Sequence, residues 1–254
     1  MEPESTEPRR FPERLRLSLA KGGFSRLRAV LWPDDLPQPA LMPSGAPLMR
    51  LPPLIHPDFF QPMPSPTEEA GALNLPDGYV LYHGPQDDDS IRRVLNAWSW
   101  SAGSIGEYYP LLLLGLDNAA QSRAQALCTA YQLNEVVRLL PVVAPNTIPA
   151  IYRKSSVVFH PAQVSAWGGS LRLALASGRP VVAADNPLAD AIIGDAGYLS
   201  LAEDSRTQGA ALITVLIEEQ FAEQLKQAAR SRAGGWENAN YKDRLFQTYQ
   251  AILA

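Results

Sequence analysis

The stretch from Val157 to Ala184 leaves a chain of this kind few ways to fold. Val157-Val158-Phe159-His160-Pro161 is a β-branched and aromatic run, which suits a parallel strand buried on both faces. A loop leads to Ser165-Ala166-Trp167-Gly168-Gly169-Ser170, then to the run Leu171-Arg172-Leu173-Ala174-Leu175-Ala176-Ser177-Gly178, then to Arg179-Pro180-Val181-Val182-Ala183-Ala184. The order is strand, glycine loop, helix, strand. Gly168 and Gly169 permit a tight turn and a close approach of backbone to a ligand. Ser170 is expected to cap the helix, and Gly178 to stop it as the C′ residue. A helix N-terminus at the end of a parallel strand presents free N–H groups and the positive end of the helix dipole, which suits a phosphate.

Strands and helices alternate on either side of this unit. Residues 79–83, 111–114, 136–140 and 197–200 read as strands. Residues 91–102, 119–131, 148–153, 206–218, 219–233 and 237–253 read as helices, with Ile91, Val94, Leu95 and Trp98 on one face of the first and Asn146-Thr147 capping the third. The pattern predicts a parallel sheet with helices on both faces and ligands at the carboxyl ends of the strands. Upstream, residues 1–8 are acidic and Pro-rich and are expected to be disordered. Residues 9–28 carry seven Arg or Lys and read as a solvated face, and Arg28–Trp32 as a strand. Residues 33–66 hold eleven of the 23 prolines and read as an extended connector. The expected division is a Pro-rich extension and hinge-like connector over 1–75, and the α/β domain over 76–254.

At 46% apolar residues the chain has enough for a sizeable core, and a net charge of −4 implies no nucleic-acid surface. No run is long and apolar enough for a transmembrane segment, and the N-terminus does not resemble a signal peptide. The lone Cys128, in an Ala-rich helical run, has no partner for an internal disulfide. A reduced, cytoplasmic setting is expected.

Residues 157–184 resemble the donor-sugar motif of family 4 (group 1) glycosyltransferases of the GT-B architecture. In that family a strand ending in Pro leads to Glu-Gly-Phe-Gly-Leu-Pro, a helix carrying a second Glu, and Cys-Gly-X-Pro-Val-Val-Ala. Trp167-Gly168 matches Phe-Gly, and Ser177-Gly178-Arg179-Pro180-Val181-Val182-Ala183 matches the tail. Further matches run in order over about residues 50–254. Arg50 to Pro62 resembles the hinge into the C-terminal domain, and 136–141, 148–153, 194–197 and Trp236-Glu237 resemble later phrases of the family. The resemblance implies a single GT-B C-terminal half, a Rossmann-like parallel sheet. The N-terminal acceptor-binding half has no counterpart, because residues 1–49 are too few.

By the same resemblance, a nucleotide-sugar is the implied ligand and Gly84, Pro85, Val142, Ser165, Trp167, Gly168, Gly169, Ser170 and Leu173 are its binding positions. No catalytic residue, metal or cofactor is implied. Ser165 and Leu173 stand where the family has its two glutamates, the first on the sugar and the second on the ribose hydroxyls. The family's basic pair, which faces the diphosphate, is replaced by Asp87-Asp88-Asp89, with Arg92 and Arg93 one turn further on. The three aspartates read as a helix cap with acidic residues favouring the dipole, ahead of a Mg²⁺ site. His83 and His160 both end strands near the cleft and read as packed or hydrogen-bonded side chains, ahead of a catalytic or ligand role. Two expectations remain open. One is a degenerate binding domain, weak or inactive on its own. The other is an active retaining enzyme subunit that works with a partner N-terminal domain. A partner protein or second copy covering the cleft face implies an exposed apolar or aromatic patch.

Overall fold

The computed structural model describes residues 27–39, 46–61, 71, 73–201, 203–237 and 241–253. The acidic segment 1–8 and nearly all of the basic segment 9–28 lie outside the described residues. Two short strands, β1 (Val30–Pro33) and β2 (Leu48–Leu51), pair in parallel. The second corrects the reading of 33–66 as connector throughout: Leu48-Met49-Arg50-Leu51 is a Pro-free island, and its N–H groups are available to pair. Arg50 Nη1 ties this unit together by donating to the carbonyls of Pro33 (3.2 Å) and Leu36.

The main sheet is built from β3 (Val80–Tyr82), β4 (Leu111–Leu116), β5 (Val137–Pro141), β6 (Val157–His160), β7 (Val181–Ala184) and β8 (Gly197–Ser200). All pairs are parallel, and the order across the sheet is β5-β4-β3-β6-β7-β8. The chain therefore winds outward from β3 to β5, then returns to β6 and winds the other way. This is the doubly wound order, with its crevice between β3 and β6.

The helices between strands are α1 (Asp88–Ile105), α2 (Asn118–Ala130), α3 (Ile148–Lys154), α4 (Gly169–Ala176) and α5 (Pro187–Ile193). After β8 come α6 (Ser205–Ile217), α7 (Glu219–Glu237) and α8 (Tyr241–Leu253). Alternate strand residues feed two cores. Val80, Tyr82, Phe159 and Val182 pack with Trp98, Ala124, Cys128 and Leu212 on one side. Tyr79, Leu81, Val158 and Ala183 pack with Ile151, Leu175, Ile192 and Trp236 on the other. Burial on both faces explains why the strands read as unbroken apolar runs.

Two caps differ from expectation. Thr147 takes helical backbone and makes no side-chain capping hydrogen bond; Pro149, whose ring fixes φ near the helical value, sits in the first turn of α3. The N-cap of α4 is Gly168 at φ 51°, so Ser170 lies inside the helix and its hydroxyl turns to His160. The C-terminus of α4 follows expectation. Gly178 N–H donates to Leu175 O and Arg179 N–H to Ala174 O, both at 2.9 Å, with Gly178 at φ 62°.

Candidate functional site

The carboxyl ends of β3 and β6 frame a cavity of about 310 Å³. Gly84 and Pro85 follow β3, His160 ends β6, and Gln163, Val164 and Ser165 form the loop that climbs to α4. Gly168, Gly169, Ser170 and Leu173 close it from the helix side, and His83 completes the lining. Of the binding positions implied by resemblance, Gly84, Pro85, Ser165, Gly168, Gly169, Ser170 and Leu173 therefore meet in one place. Trp167 is at the rim of the same loop, 38% exposed, and is not part of the lining. Val142 follows β5 and is 72% exposed, also outside the lining.

Gly168 has a spatial reason to be glycine. A Cβ there would come within 2.5 Å of Ile192 Cδ1, at a backbone angle that L side chains avoid. Gly169 differs: an added Cβ meets nothing within 4 Å, so a side chain there enters open space.

The loop is held from behind by Arg172, a residue the sequence reading passed over as part of an apolar helix. Its guanidinium is buried, pairs with both carboxylate oxygens of Asp35 (Nη2 to Oδ1 2.9 Å), and lies 5.0 Å from the centre of the Trp236 ring. Its Nε donates to the Trp167 carbonyl at 3.2 Å. One side chain thus joins the segment after β1, the glycine loop and the end of α7. The only signal in the sequence is a lone charge between Leu171 and Leu173 in an otherwise apolar helix.

Among the described residues, no charged side chain lines this cavity. His83 is half-buried, with Nδ1 2.9 Å from Tyr152 Oη. His160 is buried, stacks on Tyr82 with centroids 6.2 Å apart, and has Nδ1 3.1 Å from Ser170 Oγ. Both histidines are hydrogen-bonded and packed, as read, yet both also face the cavity. Burial holds each imidazole below its usual pKa, His160 down to about 4, so both are neutral at pH 7.

The three aspartates go to separate partners. Asp87 is the N-cap of α1: its carboxylate accepts from Ser90 N–H (3.1 Å) and Ser90 Oγ (2.7 Å), and these bonds hold its carboxyl below the usual range. Asp88 pairs with Arg123 at 2.6 Å and Asp89 with Arg93 at 2.7 Å. Among the described residues, no three His, Cys, Asp or Glu side chains gather as a metal site. Asp87 and Asp89 line a second cavity of about 380 Å³ with Arg93, Asp185, Asn186 and Glu203. Arg93 does reach back to this end of the sheet, but it is engaged by Asp89 and by Glu203 at 2.9 Å. Arg92 points instead to the α1–α2 side, beside Arg123 and Leu127.

This architecture, with its cleft at the β3/β6 switch point and a glycine-opened helix at its mouth, is that of a GT-B glycosyltransferase half. The family described as "Glycosyl transferases group 1" matches residues 91–232, more than half of the 254, and the chain belongs to that family. No curated protein matches it. Among solved structures, sucrose-phosphate synthase from Thermosynechococcus elongatus aligns at 20% identity with a TM-score of 0.72, covering 97% of this chain and 62% of that one. The C-terminal domain of the group 1 protein LpcC from Francisella tularensis aligns at 15% identity and TM-score 0.59, covering 72% of this chain and 97% of that domain. Anabaena Alr3699/HepE, solved in complex with UDP-glucose, aligns at 16% identity and TM-score 0.63, covering 81% of this chain and 57% of that one. The chain thus spans less than two thirds of the longer neighbours, 62% and 57%, and nearly all of an isolated C-terminal domain. No helix among the described residues is long and apolar enough to cross a membrane.

Proposed function

We propose that this chain is a nucleotide-sugar-binding domain of the group 1 glycosyltransferase type, catalytically weak or inactive on its own. The observation that carries the reading is the cavity between β3 and β6. It offers the amino end of α4, two glycines, and the Ser165 and Ser170 hydroxyls to a ligand, but, among the described residues, no side-chain cation to stabilise a leaving diphosphate. Leu173 at the position of the family's ribose-binding Glu removes a charged acceptor, which lowers affinity by about 1.5–3 kcal/mol. Binding survives on amides and hydroxyls; transition-state stabilisation, which depends on charge, is what suffers. The solved complex of HepE with UDP-glucose makes a uridine nucleotide the first ligand to try.

The test is thermal shift with UDP, GDP and ADP, each with and without Mg²⁺. A ligand at a hundred times its dissociation constant adds about 2.7 kcal/mol of stability. One nucleotide is expected to stabilise the protein, and Gly169→Asp, which places a carboxylate in the cavity, to abolish the shift. No shift with any nucleotide at millimolar concentration overturns the reading.

A second reading is an active retaining glycosyltransferase subunit that works with a separate N-terminal acceptor domain. It is favoured by the outer face of α8, where Phe246, Tyr249 and Leu253 lie on one stripe and are each more than half exposed. A partner domain or a second copy fits such a face. Release of UDP from UDP-glucose by the chain alone would contradict inactivity, and release only on adding an N-terminal domain would support the second reading.

A further inference from the structure

The carboxyl ends of the sheet hold the cleft, and the amino ends gather arginines. β6 and β7 start side by side, with Val158 N–H donating to the Pro180 carbonyl at 3.0 Å. Arg153 lies in the last turn of α3, just before β6, and Arg179 sits just before β7. Arg230 of α7 reaches the same place: its Nε is 2.9 Å from where a Cβ on Gly178 would stand, beside Arg179. Arg179 is close enough to oppose the charge of Arg153, and Arg230 to oppose that of Arg179. The carboxyl ends of α3 and α4 also point here, and their carbonyl dipoles favour cations.

The donors of these side chains are only partly used. Arg153 Nη1 donates to the main-chain carbonyls of Asp58 and of Gln61, the latter at 2.6 Å. Its Nε and Nη2, and the Nε of Arg179, are shielded from water and have no acceptor. The acids that act on the group are Asp58, on Arg153, and Glu223, on Arg179. Asp58 pairs with His56 and Glu223 with Lys226, both at 3.4 Å, and among the described residues no carboxylate pairs with Arg153, Arg179 or Arg230. Tyr79, which also acts on Arg179, is neutral at pH 7 because burial raises its pKa, and its hydroxyl donates to the Ile151 carbonyl at 2.6 Å. Like charges are therefore gathered and partly desolvated, with N–H groups left without acceptors. That arrangement costs free energy, and a bound anion offsets it.

We propose that Arg153, Arg179 and Arg230 form a binding site for a dianionic phosphate group at the amino ends of β6 and β7, separate from the cleft at the carboxyl ends. The four residues of β6 put about 10 Å of sheet between the two. A guanidinium fork fits two oxygens of a phosphate, and a dianion has acceptors enough for more than one fork. A carboxylate has a single charge and two oxygens, so it satisfies one fork and leaves the other cations opposed. Arg230 is exposed and Arg179 half-buried, so the group enters from solvent between them. Its source is inorganic phosphate or a phosphate monoester, since both present the same dianion. The site does not depend on the nucleotide-sugar reading.

The experiment is thermal unfolding of the full chain at about pH 8, where phosphate is dianionic. Sodium phosphate and glucose 6-phosphate are each titrated to about 10 mM, too dilute for general salt exclusion to matter, against sodium chloride at matched ionic strength. A saturable rise in Tm is expected, about 5–10 °C at a hundred times the dissociation constant. Arg179→Gln and Arg230→Gln are each expected to weaken binding about tenfold or more. Arg230 is exposed, so its variant keeps the test independent of folding around the more buried side chains. Gly169→Asp, at the cleft, is expected to leave the phosphate response intact. Tighter binding of glucose 6-phosphate assigns the site to a monoester, and tighter binding of inorganic phosphate to the free ion; either supports the inference. No saturable shift with either compound overturns it and leaves the arginines serving the helix ends alone. A shift that Gly169→Asp removes and Arg230→Gln keeps also overturns it, and puts the anion at the amino end of α4.

Discussion

Removing the carboxylate of Asp35 should destabilise the protein far more than its position in a Pro-rich approach segment suggests. Arg172 is 1% exposed, and Asp35 is its only charged partner among the described residues. Asp35→Ala leaves a guanidinium buried with only the Trp167 carbonyl and the face of Trp236 for company. Breaking one side of such a pair costs about 3–5 kcal/mol, because the remaining charge is neither solvated nor neutralised. Arg172→Met is expected to cost less, about 1–2 kcal/mol, because the Asp35 side chain is 19% exposed and water can reach it. The double variant should recover most of the loss, since an apolar side chain of similar length fills the space with no charge stranded. Urea denaturation followed by CD gives the four stabilities of the cycle, with midpoint shifts interpreted at constant m. A coupling energy of at least about 2 kcal/mol is expected. Additive losses, or an Asp35→Ala cost below about 1 kcal/mol, would show that the pair is surface decoration and that the segment after β1 does not hold the glycine loop.

Two further outcomes follow from other residues. His160 is neutral in the fold with its pKa near 4, against about 6.5 unfolded, so the unfolded chain binds the extra proton between those values. Stability from this group is complete above about pH 6.5, falls by about 3 kcal/mol as pH drops to about 4, and is flat below; the difference between wild type and His160→Gln in urea midpoints across that range isolates it from the carboxylates, and equal slopes would refute it. Gly168→Ala should cost about 2 kcal/mol or more, because positive φ and the contact with Ile192 act together, whereas Gly178→Ala should cost about 1 kcal/mol, since the flexible Arg230 side chain opposite can move away. The reverse order in thermal or urea unfolding would contradict the contact geometry.

Much of the fold was legible because its signals are local. Buried parallel strands must be apolar on both faces, so Val157–Phe159 and Leu111–Leu114 announce themselves without neighbours. Gly178 is needed by a left-handed backbone at a helix end, a constraint within a few residues of sequence, and Asp87 caps α1 for an equally local reason. Most of the implied binding positions converge for the same cause: they lie on the loops at the carboxyl ends of β3 and β6 and on α4, which follows the second, and parallel strands of a doubly wound sheet must bring those ends together.

What sequence could not decide depends on contacts between distant segments. Ser170 was expected to cap α4; its hydroxyl instead bonds His160, ten residues earlier, because Gly168 takes the cap position at positive φ. Leu48–Leu51 became a strand only because β1 lies beside it, and strand pairing is a property of two segments. Arg172 was passed over as part of an apolar helix, and only folding places Asp35, 137 residues away, against it. The two histidines carry no mark in sequence beyond ending strands. Their neutrality comes from burial, which is a sum over many neighbours. Local backbone chemistry is therefore what the sequence determined here, while the charge state and pairing of the groups at the cleft were decided only by tertiary structure.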